Sequence, residues 1–262
     1  MTNHAANSRF RDALSAGELQ IGTFIKTPTG HATEILGGLG FDFVVLDTEH
    51  APLGRESIDQ ILLAARAADI AGIVRVQSSA GPEMLSALDC GAAGVLVPHV
   101  TSGTMARDIV SKCRFRGGHR GFSNSTRAGN YGRAGIWEYV DTCDAVTTVI
   151  AMIEDPEAIE NIDEILAVDG LDAVFIGRGD LMVAYEAQSP MADELVNGTR
   201  KVVEAAKAAG KPVLTVTVGG KDTEMLKALG VTGFMIASDQ GFMRQAAATT
   251  LAEIRGPGAS DA

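Results

Sequence analysis

The chain has 262 residues, 46% of them hydrophobic, and a formal net charge of −11. That is enough apolar material for one large α/β domain or two small ones, while the acidic balance argues against nucleic acid or an anionic membrane as a partner and leaves small anions open. No apolar run approaches the roughly 18–20 residues of a membrane span, MTNHAANSRFRDALSAGE lacks the apolar centre of a secretory leader, and Cys90, Cys113 and Cys143 have no CxxC spacing, which fits free thiols in a reducing cytoplasm.

In chain order, residues 1–9 read as loose and 10–16 as a short leading helix. A first strand at 20–25 is followed by a helix at 31–39 that Gly40 ends. FDFVVL, 41–46, is a strongly apolar second strand, and Asp47-Thr48-Glu49-His50 stands at its end. The helix at 55–68 has Ile58, Ile61, Leu62 and Ala65 on one face. Residues 72–76 make a third strand, 82–88 a helix, 93–97 a fourth strand running into Pro98-His99, and 104–113 another helix.

The rhythm then breaks. Residues 114–135 are rich in glycine and arginine with little apolar periodicity, and a stretch of that length inside a compact domain is usually functional or disordered. Arg114, Arg116, Arg120, Arg127 and Arg133 read mostly as solvated loop charges there. Strand five covers 149–153 and strand six 173–176, with an amphipathic helix over 156–168 between them. After Asp180 the chain reads as irregular to Pro190, then helical over 191–209. Strand, helix and strand follow at 211–216, 223–229 and 233–236, with a closing helix at 240–254. About eight strands alternating with about eight helices predict an α/β TIM (β/α)8 barrel, one domain over 1–262 with 1–9 and 256–262 flexible. A doubly wound open sheet is the alternative, weakened because no GxGxxG follows strand one.

Strands five and six with the helix between them form a βαβ unit, so they run parallel. Glu154 and Asp180 then stand together at the carboxyl edge of the sheet, where α/β proteins bind ligands. Two acids there repel unless a cation lies between them, and a divalent metal such as Mg²⁺ suits oxygen ligands. The alternative is a pair of solvated turn acids. On the barrel reading Lys26, Asp47, Glu49, His50, Arg75, Gln77 and His99 reach the same mouth. Asp47 and His50, three apart, suit an acid that orients an imidazole base; a helix-capping Asp47 beside a plain loop histidine is the other reading. Arg75 needs an anionic partner, substrate or one of these acids. Lys26 is either a rim residue or a Schiff-base lysine of metal-free aldol chemistry. His99 reads as a packed or rim histidine and Met152 as packing.

Taken in order, FDFVVLDTEHAP, Arg75, GAAGVLVPHV, GGHRGFS, MIED and VFIGRGDL resemble the HpcH/HpaI aldolase/citrate lyase family, in its metal-dependent class II pyruvate aldolase branch. The resemblance covers about 22–254. It implies a TIM barrel whose last helix is exchanged with a neighbouring subunit, and a homo-oligomer, hexamer or trimer. It implies Glu154 and Asp180 as ligands of Mg²⁺ or Mn²⁺, with Co²⁺ also suited, and His50 paired with Asp47 as the base. Arg75 would hold the keto and enolate oxygen, the backbone of Gly179 and Asp180 would seat the pyruvate carboxylate, and Arg120 would lie near the aldehyde. The implied reaction is that of a carbon–carbon lyase, making or cleaving 4-hydroxy-2-keto acids through a pyruvate enolate and an aldehyde. A citramalyl- or malyl-CoA-type lyase and a non-catalytic 2-keto-acid binding protein are the alternatives. The chain departs from the family where Met152 replaces a frequent glutamine, and where Gly177-Arg178-Gly179-Asp180 replaces a frequent Gly-Pro-Ala/Asn-Asp.

Overall fold

The computed structural model describes residues 5–255; the expectations for 1–4 and 256–262 lie outside the described residues. The chain runs α1 (Ala5–Ser15), β1 (Gln20–Ile25), α2 (His31–Gly38), β2 (Phe43–Asp47), α3 (Arg55–Ala67), β3 (Ala71–Arg75), α4 (Gly81–Asp89), β4 (Gly94–Val97) and α5 (Gly103–Cys113). It continues with α6 (Ile136–Val146), β5 (Thr148–Ile153), α7 (Pro156–Glu160), α8 (Ile162–Leu166), β6 (Ala173–Ile176), α9 (Arg178–Ala184), α10 (Asp193–Ala208), β7 (Val213–Thr217), α11 (Gly220–Leu229), β8 (Gly233–Ser238) and α12 (Asp239–Arg255). The strands close in sequence order, β1 to β8, and β8 pairs back onto β1; every pairing is parallel. This is the TIM barrel that the alternation of elements predicts, and the open sheet is excluded.

Side chains alternate across each strand, and this fixes both core and site. One row packs inside the barrel: Phe24, Phe43, Val45, Ile73, Leu96, Ile150, Met152, Phe175, Leu214 and Met235. The other row, including Val44, Leu46, Val74, Val95, Val149 and Val174, meets the helices. Phe10 and Leu14 of α1 insert into the inner cluster, so α1 plugs the amino end. It begins at Ala5 and not near residue 10, and Arg11 ties it down by pairing with Asp172 at 2.6 Å.

Three stretches differ from expectation. The single helix over 156–168 is two, α7 and α8, broken at Asn161, whose side-chain amide donates to the Thr101 carbonyl at 2.9 Å. Asp180 opens the short helix α9 rather than an irregular segment. The segment 114–135 is pinned at several points: Asp144 accepts from the N–H groups of Phe115 and Arg116 at 2.9 Å, Arg114 pairs with Asp172 at 2.9 Å, and Arg127 with Asp59 at 2.6 Å. Most of its arginines are braces, not solvated charges.

Gly94 is where β4 meets β5 most closely: a Cβ there would lie 2.0 Å from the Thr148 carbonyl oxygen. Backbone cannot yield as a side chain can, so Gly94→Ala should cost at least about 2 kcal/mol, read as a lowered urea midpoint with unchanged slope.

Candidate active site

The inner rows continue past the core to the carboxyl ends of the strands. Phe24 is followed two residues on by Lys26, Val45 by Asp47, Ile73 by Arg75, and Met152 by Glu154. The alternation that fills the barrel therefore places an ionisable group above each of four inner-row residues. Asp47 and Arg75 are register partners on β2 and β3, so their side chains stand side by side. Arg75 Nε donates to Asp47 Oδ1 at 3.0 Å, and Nη2 lies 2.7 Å from Oδ2. Lys26 Nζ is 3.0 Å from that same Oδ2. Burial pushes the Asp47 carboxyl up, but Arg75, the His50 N–H and Lys26 outweigh it and hold it at about 2. Asp47 is a fixed anion that aims Arg75, whose guanidinium also packs over the Phe24 ring at 4.8 Å.

This corrects the expected Asp47–His50 dyad. Asp47 Oδ1 accepts from the backbone N–H of His50 at 3.1 Å, not from its ring. The acid beside the imidazole is Glu49, with His50 Nε2 3.6 Å from Oε2, and Arg75 Nη1 reaches the same oxygen at 3.4 Å. The His50 ring is 57% exposed and open to the mouth. Lys26 is no mere rim residue, since it binds the central aspartate. Gln77 is exposed, and its backbone N–H donates to Glu83, so it does not join the cluster.

Glu154 is 3% exposed. Its Oε1 accepts from the His99 N–H at 2.9 Å. His99 adopts φ 53°, unfavourable for a residue with a Cβ, and its ring lies 3.0 Å from Asp155. Gly177 closes the other side: a Cβ there would lie 2.5 Å from the Glu154 Cβ and 2.7 Å from Oε2. Burial raises the Glu154 carboxyl to about 7, against the pull of His99, and the charges of Asp180 and Glu49 add to the rise. Asp180 is exposed in the first turn of α9, and Gly179 beside it has open space around its Cα. His99 meets Glu154 twice, through its main-chain N–H and through its ring, whose Nδ1 lies 3.5 Å from Glu154 Oε1.

A buried carboxylate pushed up by desolvation near a second acid is a place where a bound cation would be favourable. Glu154 and Asp180 offer carboxylate oxygens, which fits a hard divalent ion, and the His99 ring stands beside them, its Nδ1 3.5 Å from Glu154 Oε1. Among the described residues no group of three or more His, Cys, Asp or Glu is arranged to hold a metal.

Arg120 is not at this mouth. Its side chain is 1% exposed, lies over the Phe115 ring at 4.4 Å, and faces Asp89, the last residue of α4, at 3.6 Å. The loop that carries it joins helix α5 to helix α6 ahead of β5, which puts it towards the amino end of the barrel. Within the chain Arg120 is a buried brace, and its expected place near the aldehyde is not met.

A parallel barrel whose carboxyl-end mouth gathers an arginine–aspartate pair, a histidine and two metal-type acids is an enzyme of the TIM-barrel class. The sequence pattern of the HpcH/HpaI aldolase/citrate lyase family matches residues 20–246, and the chain belongs to that family. A 5-keto-4-deoxy-D-glucarate aldolase of Enterobacter sp. (strain 638) is 32% identical over 251 residues, 94% of this chain and 96% of that protein. A hydroxypyruvate/pyruvate aldolase of Roseobacter denitrificans is 34% identical over 217 residues, 80% and 83% of the two chains. The crystal structure of an HpcH/HpaI aldolase from Desulfitobacterium hafniense DCB-2 superposes with a TM-score of 0.88 at 26% identity, covering 96% of this chain and 98% of that one. The expectation of a carbon–carbon lyase agrees with all three. Among the described residues no helix is long and apolar enough to cross a membrane.

The Glu154 carboxyl sits above its ordinary 4.5, at about 7, so the fold prefers it protonated. Stability of the metal-free protein is then full below about 4.5 and declines as pH rises towards about 7. Glu154→Gln removes that loss. The rise from 4.5 to about 7, at about 1.4 kcal/mol per tenfold in proton affinity and roughly 2–4 °C per kcal/mol, should put the variant's metal-free Tm at pH 8 about 7–14 °C above wild type. At pH 4.5 the two should melt together. Calorimetric melts at both pH values check this.

Proposed function

We propose that the chain is a divalent-metal-dependent aldolase that interconverts 4-hydroxy-2-keto acids with pyruvate, or a close 2-keto acid, and an aldehyde. The observation that carries this reading is the meeting of Glu154, Asp180, Arg75 and His50 at one mouth, in a chain of an aldolase family. Glu154 and Asp180 would hold Mg²⁺ or Mn²⁺, with Co²⁺ also compatible with oxygen ligands. A cation bound there supplies polarisation of the keto-acid carbonyl, which acidifies the C3 protons.

The chain's own groups do the rest. The His50 ring, exposed and beside Glu49, accepts the C3 proton in the synthetic direction and returns it in cleavage. Arg75, held in plane by Asp47, offers Nη1 to the oxygen on which enolate charge develops, and Asp47 keeps that fork from swinging. The N–H groups of Gly179 and Asp180, in the first turn of α9, seat the substrate carboxylate. Lys26 is committed to Asp47, which disfavours it as a Schiff-base nucleophile.

The assembly reading belongs here too. Apart from Asp239, α12 buries no residue within the chain, and Met243, Leu251 and Ile254 are exposed, which supports its exchange with a neighbour in a hexamer or trimer. The three cysteines are free and buried, in keeping with a cytoplasmic setting.

Pyruvate release from a 4-hydroxy-2-keto acid should be abolished by EDTA and restored by Mg²⁺ or Mn²⁺, and Asp180→Ala should be inactive while still folded. Full activity after chelation would sink the metal reading and return Lys26 to candidacy. Separately, His50→Ala should slow proton–deuterium exchange at pyruvate C3 by roughly 10²–10⁴-fold. Exchange at the wild-type rate in that variant would assign the proton to another group.

A further inference from the structure

Arg178 follows Gly177 and stands two residues before Asp180, at a place where the family often has proline. Its side chain turns towards α11. It is 6% exposed; Nη1 donates to both oxygens of Asp222 at 2.8 and 3.0 Å, and Nη2 donates to the Pro190 carbonyl at 2.6 Å. Asp222, 4% exposed, sits in the first turn of α11 and also accepts from the Thr217 hydroxyl and the Val218 N–H, both at 3.1 Å. Thr217 closes β7, and its hydroxyl lies 2.7 Å from that of Thr223. One guanidinium thus joins the start of α9, the segment ahead of α10, and the turn from β7 into α11.

The helix α9 has seven residues, and only Arg178 and Leu181 are buried. Two turns of helix do not hold themselves in water, so these two anchors, with the partly buried Met182 packed against the same core as Leu181, define where α9 lies. Leu181, in the outer core, sets its depth. Arg178, gripping a neighbouring element on one side, sets its rotation. Gly179 and Asp180 lie between the anchors in sequence and are exposed. A rotation of α9 would carry the Asp180 carboxylate away from Glu154, which is held separately by His99 and Gly177.

We propose that the buried Arg178–Asp222 pair is the positioning device of the metal site: it fixes the rotation of α9 and so the place of Asp180 against Glu154. Arg178 touches neither metal nor substrate and acts through Asp180. The proposal rests on the reading of Glu154 and Asp180 as metal ligands. A proline at this position would restrict the turn through its own ring; here the restriction comes from a tertiary contact that links the metal acid to the β7–α11 turn.

The test is Mn²⁺ titration of the full chain by calorimetry, with far-UV circular dichroism alongside. Arg178→Lys keeps the charge but cannot span Asp222 and the Pro190 carbonyl together, and Asp222→Asn keeps the shape but loses the charge. Both should bind Mn²⁺ about 10–100-fold more weakly, the usual effect of losing a group that orients a ligand, with native dichroism. Ile109→Val, a core change away from the site, should bind as wild type, which separates positioning from general loss of stability. Should both pair variants fail to fold, Thr217→Val, which removes one donor to Asp222 without stranding a buried charge, should still weaken binding several-fold. Wild-type Mn²⁺ affinity in the folded pair variants, or in Thr217→Val if they do not fold, together with lost binding in Asp180→Ala, would overturn the proposal and leave the metal reading standing. Undiminished binding in Asp180→Ala would overturn both.

Discussion

A carboxylate as deeply buried as Glu154 stays charged only if something positive faces it. Burial dominates: the protein supplies the His99 N–H and, at 3.5 Å, the His99 ring, but it also places two further acids nearby, and the carboxyl rises to about 7. Neighbouring features follow from this demand. His99 takes a left-handed backbone to aim its N–H, and Gly177 lacks a side chain because one would strike Glu154. On the proposed reading a cation bound there would stabilise the fold, because a ligand that binds only the folded state acts by mass action.

The other half of the mouth is built on the opposite rule. Asp47 is equally buried, yet Arg75 and Lys26 hold it ionised, and its carboxyl falls to about 2. One buried acid is left short of positive charge and the other has two cations. Groups whose environments drive them apart in this way mark different duties: the first is where, on the proposed reading, a metal would be held, and the second orients an arginine. Arg75 gains fixed direction from Asp47 and keeps Nη1 beside Glu49, at the edge nearest His50.

Much of this was legible in the sequence, because the barrel is written in alternating apolar runs and helical faces, and the parity of each strand carries its terminal residue inward. Asp47, Arg75 and Glu154 stand out in the sequence as polar groups at the carboxyl ends of apolar runs, and Asp180 through the βαβ unit it shares with Glu154. What failed was pairing. A spacing of three residues between Asp47 and His50 suits a bond to the ring or to the backbone N–H equally, and only the β2–β3 register shows that Arg75 is the nearer partner. Arg120 was misplaced for a topological reason that the sequence does contain. Residues 114–135 follow a helix, not a strand, and in a (β/α)8 barrel a loop on the helix-to-strand side lies at the end away from the mouth. The roles of the His99 N–H and of the Asp222 hub were invisible, since each depends on a contact across more than 40 residues of chain.

The two departures from the family pattern can now be weighed differently. Met152 is 4% exposed and packs in the inner cluster, with its methyl beside the space that Gly177 leaves empty. It puts an apolar side chain where the family often has a polar one, two residues before Glu154. Arg178 acts on the other acid, exchanging a local restraint on the turn for a tertiary one. Both changes leave the two acids in place. On the proposed reading, the affinity of the site for metal would then depend on the elements that hold those acids as well as on the acids themselves: β5 with its His99 contact on one side and the β7–α11 turn on the other.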